Sequence, residues 1–208
     1  MGISEKNFDF MTKSFKKIFP NGDINNKLML ELGNQRIRKK IRKNFNIKYN
    51  ISKQYFESLG VKHYSIDING KEGSIPIDLS KPITDKFWHN KFDIGTDFGT
   101  IEHITNKNFG QWQAWCNFHN AIKKGGIFIH SIPHKNGWIK HCDAHYDNEF
   151  FEKLSETNNY RIIYNKLTKK ELIHACLIKE SDNNFMEDKE LFTSWIHFKK
   201  NENEHKYS

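Results

Sequence analysis

The chain is poor in cysteine and has no long apolar stretch. Its three cysteines, Cys116, Cys142 and Cys176, are odd in number and widely spaced. They read as reduced thiols of a cytoplasmic protein and argue against a disulfide frame. No apolar run approaches the roughly 20 residues of a membrane-spanning helix. The first residues, MGISEKNFDF, lack the apolar core of a signal peptide and carry Lys6 where a myristoylation signal needs Ser or Thr. Neither a Gly-x-x-x-x-Gly-Lys-Ser/Thr loop nor a Gly-x-Ser-x-Gly elbow occurs. Phosphate-loop ATP hydrolysis and serine-hydrolase chemistry therefore have no support. There is no internal repeat.

What is present fits a single globular domain. At 208 residues, with 37% hydrophobic and 14% aromatic content, the chain can bury a full core, and its 17 phenylalanines are the main candidates to fill it. The net charge of +8 raises the question of a polyanionic partner. Lysine, however, is spread along the chain beside abundant Asn and Ile. Only RIRKKIRK (36–43) concentrates charge, and one solvated helix face accounts for it.

The positive signal is a series of strand-ends. LMLELGN (28–34), HYSIDING (63–70), GSIPIDLS (73–80), KFDIGTDFGTIEHI (91–104) and GGIFIHSIP (125–133) are short apolar runs that stop at Glu31, Asp67, Asp78, Asp97 and Pro133. Helical periodicity is expected over 4–19, 35–45, 52–59, 106–124 and 147–158, with 106–124 closing at Gly125–Gly126. Strands near 160–166 and 171–179 form an antiparallel pair at the sheet edge. Alternating strands and helices predict an α/β fold whose parallel sheet is covered on both faces. In such sheets ligands sit beyond the carboxyl ends of the strands, where these acidic residues fall. The segmentation expected is an N-terminal helical segment (1–27), a main domain (28–180) and a C-terminal extension and tail (181–208).

Taken in order, residues 28 to 179 resemble the class I S-adenosylmethionine-dependent methyltransferases. The resemblance implies a single Rossmann-like doubly wound sheet, mostly parallel with an antiparallel edge strand and helices on both faces. It implies that Glu31 and Gly33 form the first cofactor turn, that Asp67 holds the ribose, and that Asp78 with Leu79 borders the adenine. Asp97, Gly99, Glu102 and His103 match the family's Asp-x-Gly-x-x-Glu-His stretch, and Gly125–Gly126 its last turn. The first motif departs from the pattern. Gly33 stands alone where two or three glycines are usual, followed by Asn34, Gln35 and Arg36, and extra side chains there crowd the cofactor or replace backbone contacts.

A histidine-rich segment, HSIPHKNGWIKHCDAHYD (130–147), follows the fifth strand. His141 and His145 have the i, i+4 spacing of metal ligands, but that geometry needs a helix, and Gly137 lies just upstream. No metal is assigned. The resemblance makes the segment a wall of the acceptor pocket, with Trp138 and Tyr146 stacking on a ring and His141 binding the acceptor. His103 and His134 follow strand ends and are the candidate proton acceptors. Glu102 is placed on the acceptor side. The Trp112/Trp115 stripe reads as core. The function expected is transfer of a methyl group from S-adenosylmethionine to an O or N atom of a small polar acceptor such as a sugar or metabolite. A nucleic-acid methyltransferase is disfavoured, because Thr96–Asp97–Phe98–Gly99 replaces the Asp/Asn-Pro-Pro-aromatic motif of the base-amine enzymes. The missing glycines motivate a further alternative, a non-catalytic module that keeps the fold.

Overall fold

In the computed structural model, residues 2–138, 141–168 and 171–199 are described. The chain opens with β1 (Gly2–Ile3) and α1 (Glu5–Ile18), then β2 (Leu28–Leu32), β3 (Arg36–Ile37), α2 (Lys39–Asn44) and α3 (Ser52–Ser58). It continues through β4 (Lys62–Ile66), β5 (Phe92–Asp97), α4 (Gly110–Ala121) and β6 (Ile122–Pro133). The remaining elements are β7 (Ala144–His145), α5 (Asn148–Asn158), β8 (Tyr160–Thr168), β9 (Leu172–Lys179), α6 (Lys189–Ser194) and β10 (His197–Phe198). Among the described residues no helix is long and apolar enough to cross a membrane.

Six strands form the central sheet in the order β4-β2-β5-β6-β9-β8. The first four pair in parallel, and β9 runs against both β6 and β8. This is the mostly parallel α/β sheet with an antiparallel edge pair that the sequence predicts. Side chains alternate across it as the two-residue strand period requires, except at the irregularity between Phe92 and Ile94 of β5, which turns those two to opposite faces. Met29, Ile94, Ile127 and Ile129 face a core with Phe8, Met11 and Phe15 of α1 and Ile41 of α2. Leu30, Leu32, Phe92 and Phe128 face the opposite core with Trp115 and Phe118 of α4, Phe150 and Leu154 of α5, and Phe192 of α6. Helices thus cover both faces.

Local chemistry explains the element ends. Ser4 caps α1 by accepting the Asn7 N–H at 3.2 Å, and Asp147 caps α5 by accepting the Phe150 N–H at 3.0 Å. The buried stripe of α1, with Phe8, Met11 and Phe15, makes that helix an integral cover of the sheet. Leu191–Phe198 supplies α6 and β10, the latter pairing antiparallel with β7. The tail lies, from 200 onward, outside the described residues.

Two expectations are corrected. Residues 73–80 do not form a strand and make only one parallel bridge, Ile66 with Ile75. Ile75 donates its N–H to Ser65 O and accepts from the Asp67 N–H, but Asp67 O, the acceptor a parallel ladder would use next, takes the Gly70 N–H at 3.0 Å as the chain turns after β4. Gly125–Gly126 does not close the preceding helix, which ends at Ala121. The pair sits inside β6 as a bulge: Phe92 pairs with Ile122, but Ile94 pairs with Ile127.

Candidate active site

Beyond the carboxyl ends of β2, β4 and β5 lies a cavity of about 400 Å³. Gly33, Asp67, Asp78, Leu79, Gly99 and His103, all singled out in the sequence, line it together with Asn34, Gln35, Ile66, Ile68, Ile77 and Thr100. Its volume is within the roughly 300–1,000 Å³ of small-molecule sites.

The loop after β2 is held from several sides. Gly33 adopts φ +78°, and a Cβ there would run into the Thr100 hydroxyl. That hydroxyl donates to Leu32 O at 2.8 Å. Glu31 does not reach the cavity. It is 1% exposed, and its Oε1 accepts the Gln35 N–H at 3.0 Å and the Ser52 hydroxyl at 2.6 Å, so it fixes the loop from beneath. The Asn34 amide donates across to Asn69 Oδ1 and Lys71 O, and Gln35 is buried. Hydrogen bonds thus fix the Asn34 side chain where the family pattern has further glycines, and the Asn34 and Gln35 side chains remain part of the cavity wall.

Asp67 lines the cavity while accepting the Asn34 N–H at 3.0 Å through Oδ2 and the Asn69 N–H at 3.1 Å through Oδ1. Each oxygen retains a lone pair for a further donor. Next to it Ile68 is 73% exposed, an apolar side chain beside the cavity with little protein to pack on. Ile77 and the buried Leu79 also line the cavity. The Ser80 hydroxyl and N–H donate to Asp78 Oδ1 at 2.6 and 3.0 Å and, led by the hydroxyl, hold its carboxyl below the usual range.

Asp97 is fully buried and closes the turn after β5, its Oδ1 accepting the Thr100 N–H at 3.0 Å. Its Oδ2 stands 3.4 Å from His130 Nδ1. Two residues past Thr100, Glu102 is buried, and its Oε2 has no hydrogen-bond partner. Burial and, next, the Asp97 charge push the Glu102 pKa well above its usual value, which favours the protonated carboxyl. His103 lies on the rim, its ring centroid 5.1 Å from that of His141. Desolvation, then His141, lowers its pKa, so the imidazole is neutral at pH 7.

A second cavity, of about 360 Å³, adjoins the first at Gly99, which lines both. Glu102 and Trp138 border it. His141 is exposed beside Trp138, ring centroids 5.3 Å apart. Two expected members lie elsewhere. Tyr146 is completely buried, because it packs against Trp115 and Phe150 and donates to Gln111 Oε1 at 2.6 Å. His134 is 8% exposed and lines neither cavity; its Nδ1 accepts the Asn136 N–H at 3.3 Å in the turn after β6. Much of the second cavity's remaining lining comes from segments that carry no motif: Ser4, Lys6 and Asn7 at the start of α1, and Arg38 and Lys40 at the start of α2. Only the concentration of charge at 36–43 marked any of them. Among the described residues no group of three His, Cys, Asp or Glu side chains is arranged to hold a metal.

No family model matches the chain, and no curated protein does. Solved structures do. One is the 1,6-didemethyltoxoflavin-N1-methyltransferase of Burkholderia thailandensis, bound to 1,6-didemethyltoxoflavin and S-adenosylhomocysteine. The similarity has a TM-score of 0.53 at 11% identity over 83% of this chain and 79% of that one. Another is a candidate S-adenosylmethionine-dependent methyltransferase of Listeria monocytogenes, with a TM-score of 0.52 at 12% identity over 84% of this chain and all of that one. Sheet order, strand directions and these similarities together show that the chain has the fold of the class I S-adenosylmethionine-dependent methyltransferases.

Proposed function

We propose that the chain binds S-adenosylmethionine in the larger cavity and transfers its methyl group to an oxygen or nitrogen of a small polar acceptor in the adjoining one. The observation that carries this reading is that the two cavities meet at Gly99, beyond the carboxyl ends of the central strands. The Burkholderia structure holds S-adenosylhomocysteine and a small heterocycle, a pairing of the kind two adjoining cavities accommodate. The residues present suit such a cofactor. Asp67 has lone pairs for the ribose hydroxyls, and Ile68, Ile77 and Leu79 offer apolar contact to a base. Gly33 and Gly99 let backbone come close.

When bound, the cofactor supplies an electrophilic methyl group on its sulfonium. The chain has to align the acceptor, exclude water and, where the acceptor loses a proton, receive it. In this reading His103, which lines the larger cavity, takes that last task, and its lowered pKa favours the neutral, proton-accepting imidazole.

Calorimetry with S-adenosylhomocysteine tests the reading. Wild-type protein should bind, and Asp67→Ala should weaken binding by about 1–3 kcal/mol, the usual cost of leaving buried donors unpaired. Absence of both heat and thermal shift at millimolar ligand sinks it.

A further inference from the structure

The second cavity has a chemical bias that the methyltransferase reading does not explain. Its floor is the first turn of α1, a helix of 14 residues. The first backbone bond of that helix is Phe8 N–H to Ser4 O, and Ser4 Oγ takes the Asn7 N–H. The N–H groups of Glu5 and Lys6 therefore have no intrahelical acceptor, and the helix dipole adds positive potential at the same end. The Glu5 carboxylate, which would oppose an anion there, is occupied by Lys40 at 2.6 Å and Asn44 at 3.1 Å. Lys6 and Arg38 also line the cavity and make no ion pair among the described residues, whereas Glu171 brings a single carboxylate.

An independent observation comes from the other wall. Glu102 lines this cavity, is 1% exposed, and has an Oε2 with no partner in the protein. A buried polar atom left unpaired is costly unless something outside the chain meets it. Burial favours the protonated Glu102 carboxyl, whose O–H donates to an anion instead of repelling it. Trp138, 41% exposed, adds a flat apolar wall.

We propose that the acceptor carries an oxyanion, a carboxylate or a phosphate, which seats against the first turn of α1 between Lys6 and Arg38 and faces Glu102. The assignment of this anion site to the acceptor rests on the methyltransferase reading; the anion site itself does not. Stacking on Trp138 favours an oxyanion attached to a ring.

The test is calorimetry on the full chain at fixed ionic strength with benzoate, its uncharged analogue benzamide, phenyl phosphate and inorganic phosphate. Each titration is run with and without S-adenosylhomocysteine. Benzoate or phenyl phosphate should bind at millimolar concentrations and benzamide should not. The Lys6→Ala/Arg38→Ala double variant should lose at least about tenfold in anion affinity, with S-adenosylhomocysteine affinity unchanged. Both side chains are exposed, so folding should survive, and a melting curve confirms it. Arg38→Gln alone should give a smaller loss of the same kind. Preference for benzoate or for phenyl phosphate identifies the oxyanion as carboxylate or phosphate. Benzamide binding as tightly as benzoate, undiminished anion affinity in the double variant, or no anion binding at all overturns the proposal. If wild-type protein fails to bind S-adenosylhomocysteine, the methyltransferase reading falls, while the anion titrations still decide the site.

Discussion

Gly33 and Glu102 carry the two most exposed commitments at the level of single residues. Gly33→Ala places a side chain at φ +78° and against the Thr100 hydroxyl. The left-handed conformation alone costs about 1–2 kcal/mol, and the collision adds to it. Denaturant melts should show that loss, with weaker S-adenosylhomocysteine binding in calorimetry. Glu102→Gln behaves oppositely. The wild-type carboxyl has its pKa raised from the usual 4.5 by burial and Asp97. Above pH 4.5 the unfolded chain therefore releases a proton that the folded chain keeps, and wild-type stability falls as pH rises. Glutamine removes that penalty. The variant should gain on wild type in denaturant melts as the pH rises from 4 to 8. A constant difference across that range would mean Glu102 is not held neutral. At this scale the sequence was legible where a backbone rule acted, as at Gly33 and Asp67. It was not legible at Tyr146, whose ring looks equally suited to stacking on a ligand and to filling a core.

Among the elements, α4 has a stop signal supplied from far along the chain. Lys179 at the end of β9 is 1% exposed, and its Nζ donates to His119 O at 3.0 Å, Ile122 O at 2.8 Å and Asn90 Oδ1 at 3.2 Å. A cation here satisfies carbonyls at the carboxyl end of a helix and complements its dipole. Lys179→Met strands those acceptors and should destabilise the fold by about 1–3 kcal/mol in thermal or denaturant melts at pH 7. Burial lowers the Lys179 pKa to about 8. Between pH 8 and 10.5 the unfolded chain therefore holds the extra proton, and wild-type stability gains from this residue as pH rises, a gain the variant should lack. Helices with a clear apolar stripe and a capping residue, such as α1 and α5, were readable from sequence because local periodicity determines them. The third expected strand failed because Ile75 and Ile77 alternate correctly but the chain of β4 turns at Asp67, whose carbonyl is taken by the Gly70 N–H. The acceptor-side cavity was hidden for a different reason. Its walls join the start of α1 to the segment near Arg38 and to Glu102, contacts that no local pattern encodes.

For the whole molecule, the excess of positive charge should remain generic. The concentrated run 36–43 is partly paired already, Arg36 with Glu72 and Lys40 with Glu5. Binding to single-stranded RNA or DNA, followed by fluorescence anisotropy, should be weak, indifferent to sequence and steeply reduced by salt. Tight, selective binding at physiological salt would instead indicate a nucleic-acid acceptor. Connectivity has a further consequence. β1 pairs in parallel with β3, Gly2 with Arg36 and Ile3 with Ile37. This two-residue ladder fastens the head of α1 to the chain just beyond the Gly33 turn. The helix that floors one cavity and the loop that borders the other are therefore hooked together, and neither can swing outward without unhooking the other. In hydrogen-exchange experiments, amides of residues 2–18 should slow when S-adenosylhomocysteine fills the larger cavity, although none of those residues lines it. Cutting the hook with Ile3→Pro should leave those amides indifferent to the ligand, making the N-terminal segment a remote reporter of what occupies the molecule's centre.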